Sequence, residues 1–155
     1  MLDVLIREAK IEDLKDIQKL SSKLFVFENE NCNKDLNLDW SFQKEGEEYF
    51  VDSINNKIVY LAIVDDKMIG YLSGDTEINH TWMKIKEAEI VNLYIEEEFR
   101  NLGIGTMLIE KFKEYCKDKG ISHIILTAFS NNINALKCYE NKGFKEYKTT
   151  MQCEL

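Results

Sequence analysis

The first stretch with recognisable chemistry is Arg100-Asn101-Leu102-Gly103-Ile104-Gly105-Thr106. It stands where a strand-like run, Ile90-Val91-Asn92-Leu93-Tyr94-Ile95, gives way to a helix-like one. Two glycines one residue apart at such a junction let the backbone approach a bulky anion and take dihedrals closed to other residues. The first amides of the helix have no partner inside it and point at that anion, aided by the positive end of the helix dipole. A pyrophosphate suits this arrangement, and Arg100 can add a charge-assisted contact. The other reading of a bare R-x-x-G-x-G is a plain turn with a solvated arginine, since short glycine patterns recur by chance. Leu108 stands where a dinucleotide fingerprint has its third glycine, and the Gly-Lys-Ser/Thr of a P-loop is missing.

The elements that must position this loop are legible on either side of it. Ile90–Ile95 is rich in β-branched and aromatic residues, which favours a strand. Ile104, Leu108, Phe112 and Cys116 recur every four residues, with Ile109 widening the stripe, as on an amphipathic helix. Upstream, residues 2–7 read as a strand, followed by a helix with Leu14, Ile17, Leu20, Leu24 and Phe27 on its apolar side. The polar, asparagine-rich residues 28–38 read as a loop. A second helix is expected over about 39–54, burying Phe42, Tyr49, Phe50 and Ile54. Two apolar runs, 58–64 and 68–74, joined by Asp65-Asp66-Lys67, predict an antiparallel hairpin, and residues 75–87 a longer connection. Lys119-Gly120 ends the central helix. Residues 121–128 are nearly continuously apolar and predict an interior strand. A last helix closes at Gly143, and residues 144–153 predict a final strand returning to the sheet edge.

Composition narrows the class. A chain of 155 residues suits one domain over 1–155, burying roughly 70% of its unfolded surface. Its 45% hydrophobic and 31% charged residues are an ordinary globular balance. Apolar runs are too short to span a bilayer and no secretory leader is seen, so a cytoplasmic location is expected. Cys32, Cys116, Cys138 and Cys153 form no C-x-x-C pair, which predicts reduced, mostly buried thiols and no metal. The net charge of -8 argues against nucleic acid and is compatible with a cationic acceptor, although surface acidity also serves solubility.

The loop and its flanking elements resemble motif A of the GNAT superfamily of N-acyltransferases, whose R/Q-x-x-G-x-G/A loop holds the pyrophosphate of acyl-coenzyme A. About thirty residues on, Asn132-Ile133-Asn134-Ala135-Leu136-Lys137-Cys138-Tyr139-Glu140-Asn141-Lys142-Gly143-Phe144 looks like the family's motif B, N-x-x-A-x-x-x-Y-E-x-x-G-F. The resemblance implies an α/β, GNAT-like fold with a mixed, mostly antiparallel central sheet flanked by helices. It also implies transfer of acetyl from acetyl-CoA directly to a primary amine, small or peptidic, with no metal and with a homodimer allowed. The rival from another class is a catalytically inactive CoA-binding sensor or assembly module.

The resemblance further implies a set of site residues. Tyr139 falls on the motif B tyrosine that acts as general acid to the leaving thiolate. Leu93, Tyr94, Ile95, Arg100, Asn101, Gly103, Ile104, Gly105, Thr106 and Asn132 fall on cofactor-binding positions, with the Leu93 N–H as oxyanion donor. The central strand is expected to splay from the 121–128 strand, freeing its edge for the pantetheine arm. Phe27, Glu28, Glu30 and Trp82 border the acceptor ground. A lysine-like amine is neutral only about once in 2,500 at pH 7, a handicap of about 4.6 kcal/mol, so a base is needed. Glu89 is the candidate: simple alternation puts it on one face with Val91, Leu93 and Ile95, where an apolar setting would raise its pKa. A bulge would reverse that facing, Glu87 and His80 are near, and a water chain is the alternative. Cys138 as an acyl carrier lacks a histidine partner. His123 matches nothing in the family pattern and reads as structural.

Overall fold

A computed structural model describes residues 2–78 and 80–155. Met1 and Asn79, the latter within the predicted 75–87 connection, lie outside the described residues. The chain opens with strand β1 (Leu5–Glu8) and helix α1 (Leu14–Asn31). The expected loop at 28–38 therefore begins one helical turn late. Neither Gly nor Pro interrupts 20–31, and the apolar stripe at Leu20, Leu24 and Phe27 carries the helix through its polar end. The amides of Cys32 and Asn33 then both close on Glu28 O.

A short 3-10 turn, Trp40–Phe42, precedes helix α2 (Lys44–Asn56), so the single helix expected over 39–54 is broken. The break sits at Gln43, whose backbone is extended (ψ 164°). It allows Gly46 to pack directly on the Trp40 carbonyl, where a Cβ would collide. Phe50 is buried as expected, whereas Phe42, turned out by the break, is exposed.

Strands β2 (Ile58–Val64) and β3 (Lys67–Asp75) form the hairpin. Its turn has two residues instead of three, Asp65 and Asp66, both with positive φ, as the twist of a tight hairpin requires. Strand β4 (Glu87–Ile95), helix α3 (Ile104–Asp118), strand β5 (His123–Leu126) and helix α4 (Ile133–Glu140) follow. The sheet runs β1-β2-β3-β4-β5, antiparallel except for the β4–β5 pair. The fold is thus mixed α/β with a mostly antiparallel sheet, as expected.

Two apolar layers hold it. On one face the buried stripe of α3, Ile104, Leu108, Ile109, Phe112 and Cys116, packs on Tyr60, Leu72 and Ile90. On the other, Ile17 and Leu20 of α1 and Phe50 of α2 pack on Leu61, Tyr71 and Tyr94.

Two strand expectations fail. The 121–128 strand is a four-residue edge strand, not an interior one. Residues 144–153 adopt no strand pairing, so among the described residues no strand pairs with the outer side of β5. The thiols also differ from expectation: Cys116 is buried, Cys32 partly so, and Cys138 and Cys153 are exposed. None is disulfide-bonded. Among the described residues no helix is long and apolar enough to cross a membrane.

Candidate active site

The site grows from a defect in β4. Ser73 pairs with Asn92 but Gly74 pairs with Ile90, so Val91 is an extra residue, a β-bulge. The bulge overturns the simple alternation expected for Glu89. Leu93 and Ile95 pack with Ile90 on the α3 face, whereas Glu89 is paired with Asp75 on the α1/α2 face, where Tyr94 also lies. Asn92 accepts from the Ser73 hydroxyl at 3.1 Å on the same side. Glu89 therefore stands among polar groups, not beside Val91, Leu93 and Ile95. Burial still raises its pKa, reinforced by Asp75 and opposed by Lys57. Lys57 itself donates to Asp75 at 2.8 Å. Glu87, two residues earlier, is 3% exposed with its Oε1 unpartnered among the described residues.

Beyond the bulge, β4 and β5 part. Their parallel pairing ends at Ile90 with Leu126, so, among the described residues, 91–95 pair with no strand on that edge. The Glu96 N–H donates to Ile69 O at 2.8 Å, and strand amides alternate in direction. Asn92 and Tyr94 thus address β3, while Leu93 and Ile95 turn their backbone groups into the opening. The expected splay is present, with the Leu93 N–H aimed into it. Tyr94, by contrast, spends its amide on β3 and its hydroxyl approaches Glu96 at 3.4 Å.

At the mouth of the wedge lies the glycine loop. Gly103, the N-cap of α3, has φ +81° and Asn101 φ +62°, whereas Gly105 has an ordinary helical backbone. Only Gly103 needs the conformational freedom expected of both glycines. No side chain caps α3, and the Met107 N–H, bonded to Gly103 O, is the first to close on the helix. The amides of Ile104, Gly105 and Thr106 are left free to meet an anion. A Cβ on Gly103 or Gly105 would meet nothing within 4 Å, so both backbones border open space. A diphosphate fits there. Arg100 is partly engaged elsewhere: its Nε donates to Ile95 O at 2.9 Å and its guanidinium lies 5.3 Å from the Phe27 ring and 5.5 Å from that of Tyr94. Phe27 thus supports Arg100.

Helix α4 carries Tyr139, which packs partly buried against the α3-side core, its ring 5.9 Å from Phe144 in an edge-on contact. Burial, then the nearby Cys138 and Glu28, push its pKa up to about 12. Asn132 caps α4, its side chain accepting from the Ala135 N–H at 3.3 Å. Across from α4, Glu28 in the last turn of α1 has its pKa raised by burial, and its charge is felt at Tyr139 and Tyr71. Asn131, which the sequence did not single out, ties the two walls by donating to Cys32 O at 3.2 Å. Tyr71 is fully buried beneath, its hydroxyl unpartnered among the described residues. No local signal could have found Asn131 or Tyr71, because their place follows from packing between segments distant in sequence.

The remaining candidates scatter. Glu30 is exposed on the last turn of α1. Trp82 is 69% exposed, its ring tilted against that of His80 at 5.0 Å and 5.8 Å from the Lys148 ammonium. His123 bonds the Ser122 hydroxyl at 2.8 Å at the start of β5. Among the described residues no cluster of ligands could hold a metal.

Residues 14–144 match the family model described as Acetyltransferase (GNAT) family. An uncharacterized N-acetyltransferase of Methanocaldococcus jannaschii is 30% identical over 107 residues, 69% of this chain and 43% of its own length. An N-alpha-acetyltransferase of Saccharolobus solfataricus is 26% identical over 152 residues, covering 94% of this chain and 83% of its own. The chain spans less than half the length of the first curated relatives it matches. Among solved structures, an aminoglycoside N-acetyltransferase in complex with CoA superposes with a TM-score of 0.77 at 14% identity, covering 100% of this chain and 96% of that one.

Proposed function

Because the chain belongs to the acetyltransferase (GNAT) family, we propose that it binds acetyl-CoA and acetylates a primary amine by direct transfer, as one catalytic domain over residues 1–155. The observation that supports this reading is the end of the β4–β5 pairing at Ile90, together with first amides of α3 that border open space. The aminoglycoside enzyme of similar fold, solved in complex with CoA, lends it support.

Each residue then has a task. The amides of Ile104, Gly105 and Thr106 receive the diphosphate. The β4 edge at Leu93 and Ile95 lines the pantetheine arm, and the Leu93 N–H faces the thioester oxygen as charge builds there, a contribution of about 2.7–4 kcal/mol. Tyr139 stays protonated at neutral pH because its pKa is about 12, and it delivers its proton to the departing thiolate. Glu89 takes the proton of the attacking amine, directly or through water. Glu28, on the opposite wall, offers a carboxylate to a cationic acceptor.

Calorimetry with CoA, followed by a thiol-release assay with acetyl-CoA and a panel of polyamines, aminoglycosides, amino acids and peptides, tests the proposal. The expected result is binding and turnover on at least one amine. Binding without turnover on any acceptor would mark a CoA-binding module, and no heat with CoA or acetyl-CoA would end the assignment.

A further inference from the structure

Strand β3 ends on a conflict of charge. Asp75 and Glu89 are direct partners across the β3–β4 ladder, and such partners stand about 5 Å apart at Cβ, where two carboxylates repel. Natural sequences break a local rule of this kind mostly where a site needs it. Among the described residues, the one cation acting on both carboxylates is Lys57, between α2 and β2. It is not shared. Its ammonium donates to Asp75 Oδ2 at 2.8 Å, and the Glu77 N–H fills Oδ1 at 2.9 Å. Among the described residues Glu89 makes neither a hydrogen bond nor an ion pair.

The two carboxylates therefore differ although they stand side by side. Burial works against ionised Asp75, yet the Lys57 ammonium and the Glu77 N–H hold its carboxyl below the usual range. Burial first, and then the Asp75 charge, raise that of Glu89. Elsewhere on this side of the sheet, Tyr49 and Asp52 of α2 bear on Lys57, and Glu28 of α1 bears on Tyr71 and Tyr139. Glu87 precedes Glu89 by one strand period, and the β5 partner of Glu89, Ile125, carries no charge. A lysine holds its ammonium on a flexible four-carbon stem, so a change of rotamer is enough to carry it from one carboxylate to the neighbouring one.

We propose that Asp75 is a positioning residue that captures Lys57 and so keeps the Glu89 carboxylate unshared and open to the acceptor amine. This role rests on the reading of Glu89 as the base. Without Asp75, Lys57 turns to Glu89, and an ion-paired carboxylate is both a weaker base and a blocked one.

Carbon-13 NMR titration of the glutamate carboxyls, with Glu89 identified by the resonance lost in Glu89→Gln, tests this beside acetyl-CoA kinetics on an amine that the intact protein turns over. In Asp75→Asn the Glu89 midpoint is expected to fall by about one pH unit or more, and kcat by at least about tenfold. Adding Lys57→Met to that variant should bring the midpoint back up and restore kcat to within about threefold of the intact protein, a rescue that a merely structural ion pair does not give. Lys57→Met alone should raise the midpoint, because the Asp75 charge is then unopposed. An unmoved or raised midpoint in Asp75→Asn overturns the role, as does one that Lys57→Met fails to bring back. Midpoints that move as expected, beside a Glu89→Gln variant with full turnover, would uphold the capture of Lys57 and reject Glu89 as the base.

Discussion

In the proposed reaction Tyr139, Glu89 and Glu28 have different tasks, and their environments differ accordingly. A phenol held near pKa 12 is a donor and not a base, so Tyr139→Phe should lower kcat at least about tenfold while leaving the calorimetric affinity for CoA unchanged. Equal turnover in the variant would remove the role. For Glu89, burial raises the pKa, so kcat/KM should fall toward acid through a limb above the usual glutamate value of about 4.3. Glu89→Gln should flatten that limb and lower kcat about 100-fold; a limb that survives in the variant would point to a water chain or another group. Glu28 offers a test of opposite signs. Its folded pKa lies above the unfolded one, so the stability it contributes is full below the unfolded pKa and is lost as pH rises through the folded value. At pH 8, Glu28→Gln should therefore raise Tm while lowering kcat/KM for a cationic amine about tenfold. A variant with lower Tm and unaltered kinetics would make Glu28 a packing residue.

The elements matter where they depart from regularity. Had β4 kept a strict two-residue period, Glu89 would face α3 and share a side with Leu93; the extra residue at Val91 places it across the sheet, and no feature of the residues 87–95 announces that shift. The two glycines of the loop separate in the same way. At Gly103, φ +81° makes alanine strained by about 1–2 kcal/mol, so Gly103→Ala should lower Tm. Gly105 sits in ordinary helical geometry with open space above it, so Gly105→Ala should hold or raise Tm by the better helix propensity of alanine, about 1 kcal/mol at most. Its new methyl would stand where the diphosphate approaches, and CoA affinity should drop at least tenfold. Equal affinity in the Gly105 variant would place the anion elsewhere. Where the apolar period was long and uninterrupted, as along α3, the sequence reading was accurate to within a few residues. It failed at the Gln43 break and at 144–153, where local preference met no tertiary partner.

Across the whole molecule, the net charge of -8 gives a cationic acceptor a long-range attraction that ions screen within about 10 Å at 0.1 M salt. For a polycationic amine, kcat/KM should fall severalfold between about 20 and 200 mM salt, through KM more than kcat, whereas a neutral acceptor analogue should respond weakly. A flat profile would mean that the acceptor is held by local contacts alone. The residues by themselves determined the order of elements from β1 to α4, the mixed α/β class, the glycine loop at the head of α3 and the tyrosine of α4, because each is written in periodicity or in a short contiguous motif. Only the tertiary structure decided which face Glu89 occupies, that Asn131 reaches Cys32 at the end of α1, and that β5 ends the sheet. Those outcomes depend on a bulge, on a hydrogen bond between residues 99 positions apart, and on whether a strand finds an edge. None of the three is encoded in the local spacing of side chains.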